Sequence, residues 1–157
     1  LRIGLSSIKG ISAATGKPVV GVSTLEALAR IIPYTSYCIC PMIDARKGQV
    51  YFARYRYHNG VLINESPARA LHLIHAIENN TEPCIFIGDG AVTYEKLIMN
   101  QLGSLAFFAH SHQHVIRASV VAQLSLPKFL NGKTDSVDSL VPAYARKSDA
   151  ETGVEPR

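Results

Sequence analysis

Four stretches of this sequence hold residue types that do chemistry. HSHQH sets His110, His112 and His114 at alternate positions. On a strand all three would share a face, and on a helix His110 and His114 would stand four apart, so the spacing suits a transition metal. A hydrolytic zinc site also needs a carboxylate as general base, which an H-E-x-x-H helix carries within itself. No acid lies between Glu95 and Asp135. The histidines therefore read as exposed side chains of a polar loop, and no metal site is assigned. GDGA (Gly88–Ala91) could cradle a phosphate where a strand meets a helix. A P-loop adds a lysine followed by Ser or Thr, which are absent here, so the segment reads as a strand-ending turn.

RKGQVYFARYRY interleaves Arg46, Lys47, Arg54 and Arg56 with Tyr51, Phe52, Tyr55 and Tyr57. It is similar to the aromatic strand of an RNA-recognition motif, on which bases stack. Gln49 stands where that motif wants an aromatic, so the favoured reading is a sheet with one buried face and one basic face in water. Cys38 and Cys40 share one face of a strand, but C-x-C lacks the second cysteine pair of a zinc ribbon. Together with Cys84 they read as buried, reduced thiols. With no G-x-S-x-G and no H-E-x-x-H, motifs alone assign no catalytic residue.

Composition narrows the classes. Hydrophobic residues make up 47% of the 157, and charged residues only 18%. That excludes a disordered tail, and no apolar run approaches the ~20 residues needed to span a bilayer. Three cysteines are too few and odd in number for a secreted disulfide scaffold. Net charge is +4, distributed as +6 over residues 1–60 and −2 over residues 61–157. The asymmetry suits an anionic partner and a solvated surface equally.

The elements that must position these residues follow from periodicity. Leu1, Leu5, Ile8 and Ile11 form a helical stripe, stopped by Gly16 and Pro18. The stripe is expected to face the body of the protein against a strand over residues 18–23. On the opposite side Ile3, Ser6, Ser7, Gly10, Ala13 and Ala14 form a face of mostly small residues, fit for close approach by another helix. Leu1 lacks an N-capping residue before it, so the chain reads as a fragment lacking its N-terminal part. Further along, the pattern predicts a helix from TLEALARII ended by Pro33, a strand over 37–45 and a turn at DARKG. A long strand QVYFARYRYH follows, with a hairpin at Asn59-Gly60 leading into VLINES. Helices are expected over 68–80, 94–102 and 118–130, the last kinked or shortened by Pro127, with short strands at CIFI and LAFFA and an extended end at LVPAYAR. Alternating strands and helices give the class α/β, with an antiparallel hairpin inside it.

Several segments together resemble the TsaB (YeaZ) family. LRIGLSSIKGI is similar to the helix following that family's G-S-F-T-G turn, and PVVGVSTLEALA to its next strand and helix. DARKGQVY resembles the D-A-R-x-G-E-V-Y signature at Asp44, Arg46, Gly48 and Tyr51, with Gln49 for Glu. GDGA and VPAYAR (residues 141–146) fit later landmarks, with Ala145 where Leu or Val is usual. The resemblance implies an actin-like ATPase (ASKHA) fold of two RNase H-like α/β domains, the first incomplete here. Residues 1–36 would be the remainder of the N-terminal domain, 37–134 the second domain, and 135–157 a C-terminal extended segment and tail. It implies a cytoplasmic, non-catalytic accessory subunit in tRNA threonylcarbamoyladenosine synthesis, supporting a TsaD-like transferase beside a TsaE-like ATPase, with self-association and tRNA met only through the complex. No cofactor is expected on this chain alone, and ATP or ADP only at a subunit interface. The partner surface is expected on Ile3, Ser6, Ser7, Gly10, Ala13 and Ala14. The alternatives are a metal-dependent, glycoprotease-like hydrolase using HSHQH and an RNA-binding module using the basic hairpin.

Overall fold

Strand β1 (Cys38–Arg46) is apolar at nearly every position, as a strand buried on both faces should be. The computed structural model, which describes residues 2–143, places it in the middle of a five-stranded sheet. β2 (Gln49–His58) and β3 (Val61–His72) extend one side as an antiparallel meander; β4 (Cys84–Ile87) and β5 (Ala106–Phe108) extend the other, parallel to β1. The order is β3-β2-β1-β4-β5. Six helices accompany it: α1 (Arg2–Thr15), α2 (Thr24–Ala29), α3 (Leu73–Ile77), α4 (Asp89–Thr93), α5 (Glu95–Leu102) and α6 (Ala118–Leu130).

The two faces of β1 carry separate cores. Cys38, Cys40 and Met42 meet Val50, Phe52 and Phe86 of neighbouring strands, under Leu73 and Ile77 of α3 and Ile98 of α5. Ile39 on the other face meets Ala53, Tyr55 and Ile87, under Leu25, Leu28 and Ala29 of α2. Fully burying each of these larger apolar side chains contributes about 1.5–3 kcal/mol. The Ser23 side chain starts α2 by accepting a hydrogen bond from the Glu26 amide. Helix α2 thus shares a core with β1, β2 and β4.

Most predicted elements are present, and three differ. Residues 18–23 form no strand: Val19 makes one isolated bridge to Asp135, whose carboxylate accepts the Gly21 amide. The helix expected over 68–80 shrinks to α3, because residues 69–72 continue β3 and pair with β2 as far as Gln49–His72. β3 accommodates Pro67 by register shifts opposite Phe52–Tyr55, on the sheet edge where proline is tolerated. α6 is not shortened by Pro127; it runs on to Leu130 and has no buried residue. Pro41 sits inside central β1, where proline is rare. The β1–β2 pairs run from Ile39–Tyr55 to Met42–Phe52 with the proline between them.

β4 ends in two glycines that lie against β1. Gly88 has φ 110°, and a Cβ there would collide with the Met42 carbonyl oxygen. A Cβ on Gly90 would lie 2.9 Å from the Ile43 carbonyl carbon. In contrast, a Cβ on Gly4 in α1 meets nothing within 4 Å. The two sites should respond to alanine with opposite signs. Gly88→Ala should destabilise by about 3 kcal/mol, at the upper end of overpacking and strain. Gly4→Ala should stabilise by up to about 1 kcal/mol through helix propensity. Urea denaturation of the full chain checks both, and a neutral Gly88→Ala would contradict the packing described.

Candidate functional site

Helix α1 touches the rest of the chain along a narrow stripe. Ser12 is its one buried residue, and its hydroxyl donates to the Lys17 carbonyl. Lys9 reaches the carbonyls of Asp138 and Leu140 at 3.3 and 3.2 Å. Leu5 and Lys9 are half-buried, so the seated face is 5/9/12, at i, i+4 and i+7. This corrects the expected inward stripe: Ile8 and Ile11 are 50% and 58% exposed. The physical reason is that no strand at residues 18–23 supplies an apolar wall, so the helix is held by polar bonds. Leu1 lies outside the described residues. Ile3, Ser6, Ser7, Gly10, Ala13 and Ala14 are all exposed, Ile3 at 86%. At 100° per residue they point away from the seated stripe, and Ile8 and Ile11 flank them. The helix thus offers one continuous outward surface, small in the middle and apolar along one rim.

The D-A-R-x-G signature builds a turn. Arg46, Lys47 and Gly48 adopt φ of 63°, 54° and 71°, three left-handed residues in succession. Such a conformation is costly for the two non-glycine residues and persists only when held from outside. Asp44 does the holding: its carboxylate accepts the Arg46 amide at 2.9 Å and the Tyr94 hydroxyl at 3.2 Å. Burial, and then the Asp44 carboxylate, push the Tyr94 phenol up, which keeps it a donor. The Gly48 carbonyl accepts the Leu73 amide at 3.0 Å, and Tyr51 in β2 packs on the α2-side core. Asp89 ties the second glycine turn to the first, accepting the amides of Asp44 and Gly90. Asp44, Gly48 and Tyr51 therefore serve the turn and the sheet, while Arg46 is exposed at its tip.

The histidines do not converge. His110 and His112 are exposed and stack with ring centroids 5.9 Å apart. His114 turns inward, correcting the expectation of three exposed side chains. Its Nδ1 accepts the Gly88 amide at 3.0 Å, which leaves Nε2–H to donate to the Ala109 carbonyl at 3.0 Å. It braces the strained glycine at the end of β4. The basic strand also differs from expectation. Arg54 and Arg56 do not form a free basic face: Arg54 pairs with Glu82 at 2.6 Å, and Arg56 with Glu65 at 2.6 Å and Glu82 at 2.5 Å. Glu65 lies across the hairpin on β3, but Glu82 before β4 is 26 residues from Arg56, so no local pattern reveals its pairing. The sequence also does not show that β4 brings Cys84 beside Cys38.

His114→Ala should cost about 1–3 kcal/mol by leaving buried backbone groups at Gly88 and Ala109 unpaired. His110→Ala and His112→Ala should each stay within about 0.5 kcal/mol. Thermal unfolding compares them; equal effects at all three positions would contradict the bracing role.

The chain is similar to known proteins. Residues 1–154 match the family model for TsaD: tRNA N6-adenosine threonylcarbamoyltransferase. The Bacillus subtilis tRNA threonylcarbamoyladenosine biosynthesis protein TsaB is 32% identical over 96% of this chain, and its Escherichia coli counterpart 26% identical over 96%. The chain spans 66% of the length of each of these relatives. Among solved structures, an uncharacterized Pseudomonas aeruginosa protein with similarity to peptidase YeaZ superposes with TM-score 0.72 at 22% identity, over 92% of this chain and 67% of that one. YeaZ from the same organism superposes with TM-score 0.71 at 22% identity, over 91% and 66%. The five-stranded sheet is therefore that of the actin-like, RNase H-like fold, present over part of the relatives' length. The chain belongs to the TsaD family of tRNA N6-adenosine threonylcarbamoyltransferase-related proteins, and within it to the TsaB (YeaZ) group.

Proposed function

We propose that the protein acts in tRNA threonylcarbamoyladenosine biosynthesis as a non-catalytic subunit that supports a TsaD-like transferase. The observation that carries this reading is α1, a two-sided helix held at the surface with Ser12 as its one buried residue. Gly10 and Ala14 on the outward face, with Ala13 at its edge, let a partner helix approach closely, and Ile3, Ile8 and Ile11 supply apolar area to bury. The names of the relatives place them in the same pathway. The same surface suits a second copy of the chain, and a TsaE-like ATPase would join through the transferase. We place the assembly in the cytoplasm, with tRNA contacted through the complex.

The rival readings find less support. A hydrolase using HSHQH would need His114 free, and it is held by Gly88 and Ala109. An RNA-binding hairpin would need Arg54 and Arg56 free, and both are engaged by acids. GDGA does not offer a phosphate cradle in this chain, because both glycines press on β1. We infer that ATP or ADP, if bound, is met at a subunit interface.

A Cβ at Gly10 meets nothing within 4 Å, so a larger residue there leaves the fold intact and acts only on a partner. Gly10→Leu or Ala14→Trp in the full-length protein should weaken binding to the transferase subunit by about 5- to 150-fold, the equivalent of 1–3 kcal/mol of overpacking. Calorimetric titration measures it, with circular dichroism confirming the fold. Folded variants that bind as tightly as wild type would place the interface elsewhere.

A further inference from the structure

Three thiols that lie apart in the sequence meet inside the sheet. Cys38 and Cys40 project from one face of β1, two residues apart. The parallel register sets Cys84 of β4 directly beside Cys38. Each residue is at most 1% exposed. Their three Sγ atoms lie within 4.8 Å of one another, and those of Cys38 and Cys40 are 3.9 Å apart. Thiolates bound at 2.3 Å around a tetrahedral ion stand about 3.8 Å from each other. The cluster is thus close to the spacing of a metal site before any side chain moves.

Its surroundings are polar and charged. Cys84 Sγ donates to Asn80 Oδ1 at 2.9 Å, and Arg54 donates to the same oxygen at 2.7 Å. Glu65 Oε1 takes Arg56, while its Oε2 stands 3.9 Å from Cys38 Sγ. A core built only for packing has no need of an arginine, an asparagine and a carboxylate converging on its thiols. Arg54 and Asn80 also line a cavity of about 240 Å³ beside Phe52, Ser66, Arg69 and His75.

We propose that Cys38, Cys40 and Cys84 form a binding site for one thiophilic divalent ion of the zinc class, with Glu65 supplying the fourth ligand. Thiolate donors select soft and borderline-soft metals. Three thiolates and the Glu65 carboxylate around a divalent ion leave a net charge of −2, which Arg54 and Arg56 face; a monovalent ion would leave −3. The bound ion would rivet β1 to β4 from within. Cysteine binds a metal as the thiolate, so loading releases protons.

The test uses the full chain, reduced, stripped with a chelator and shown to hold three free thiols. Titration with Cd(II) should develop a thiolate-to-metal charge-transfer band that saturates at one equivalent, and Zn(II) should compete for the same site. Zn(II) should also raise the Tm of the wild type. Cys84→Ser and Cys40→Ala, each checked for folding, should lose the band and the Zn(II)-dependent rise. His110→Ala/His112→Ala should keep both. A folded, reduced wild type with neither band nor Tm shift would overturn the proposal, and so would a band that persists in both cysteine variants.

Discussion

Strand β4 can lie parallel beside β1 only if its last residues come within backbone distance of Met42 and Asp44. Gly88 and Gly90 allow that approach, and no side chain could take their place without displacing β1. Most of what is distinctive in the molecule hangs on this pairing. It sets Cys84 beside Cys38, brings Asp89 to the amide of Asp44, and leaves a strained glycine that His114 must brace. It also closes both cores, since Ile87 completes one face and Phe86 the other. The D-A-R-x-G turn is part of the same device, because Asp44 is at once the cap of its own turn and the neighbour of the glycine turn.

Against that rigid centre, α1 is loosely held. Among its contacts are a buried serine, a lysine reaching two carbonyls and a half-buried leucine. Four exposed large hydrophobics on one short segment would be a liability for a surface that meets only water, and α1 comes close with Ile3, Ile8 and Ile11. A rigid sheet carrying a weakly seated, two-sided helix suits a protein whose work is to hold another protein. The functional reading thus rests on the contrast between the two parts rather than on any reactive group.

Much of the fold could be read from the residues. The hairpin at Asn59-Gly60, the strand QVYFARYRYH and the helix over 118–130 emerge within the bounds that local signals set. Local chemistry decides these elements. The misses share a cause, which is that a distant partner decides. Leu71, Ile74 and Ile77 have helical spacing, but β2 claims Leu71 as a strand residue. Ile8 and Ile11 have the spacing of a buried stripe, but no apolar wall faces them. Arg54 and Arg56 look like a basic face until Glu65 and Glu82 arrive from other elements. The thiol cluster is hidden for the same reason, since parallel register cannot be read from either strand alone. Of the candidate site, the small face of α1 was legible because it needs only helical geometry.

The central claim is that α1 is where this protein meets its partner. Amide hydrogen exchange of the full-length protein, free and with the TsaD-like transferase subunit bound, tests it without altering a residue. The account predicts fast exchange over residues 2–15 in the free protein, as befits a helix with little burial, and strong protection of the same amides in the complex. Unchanged exchange in α1 with new protection confined to the β2–β3 hairpin would contradict it.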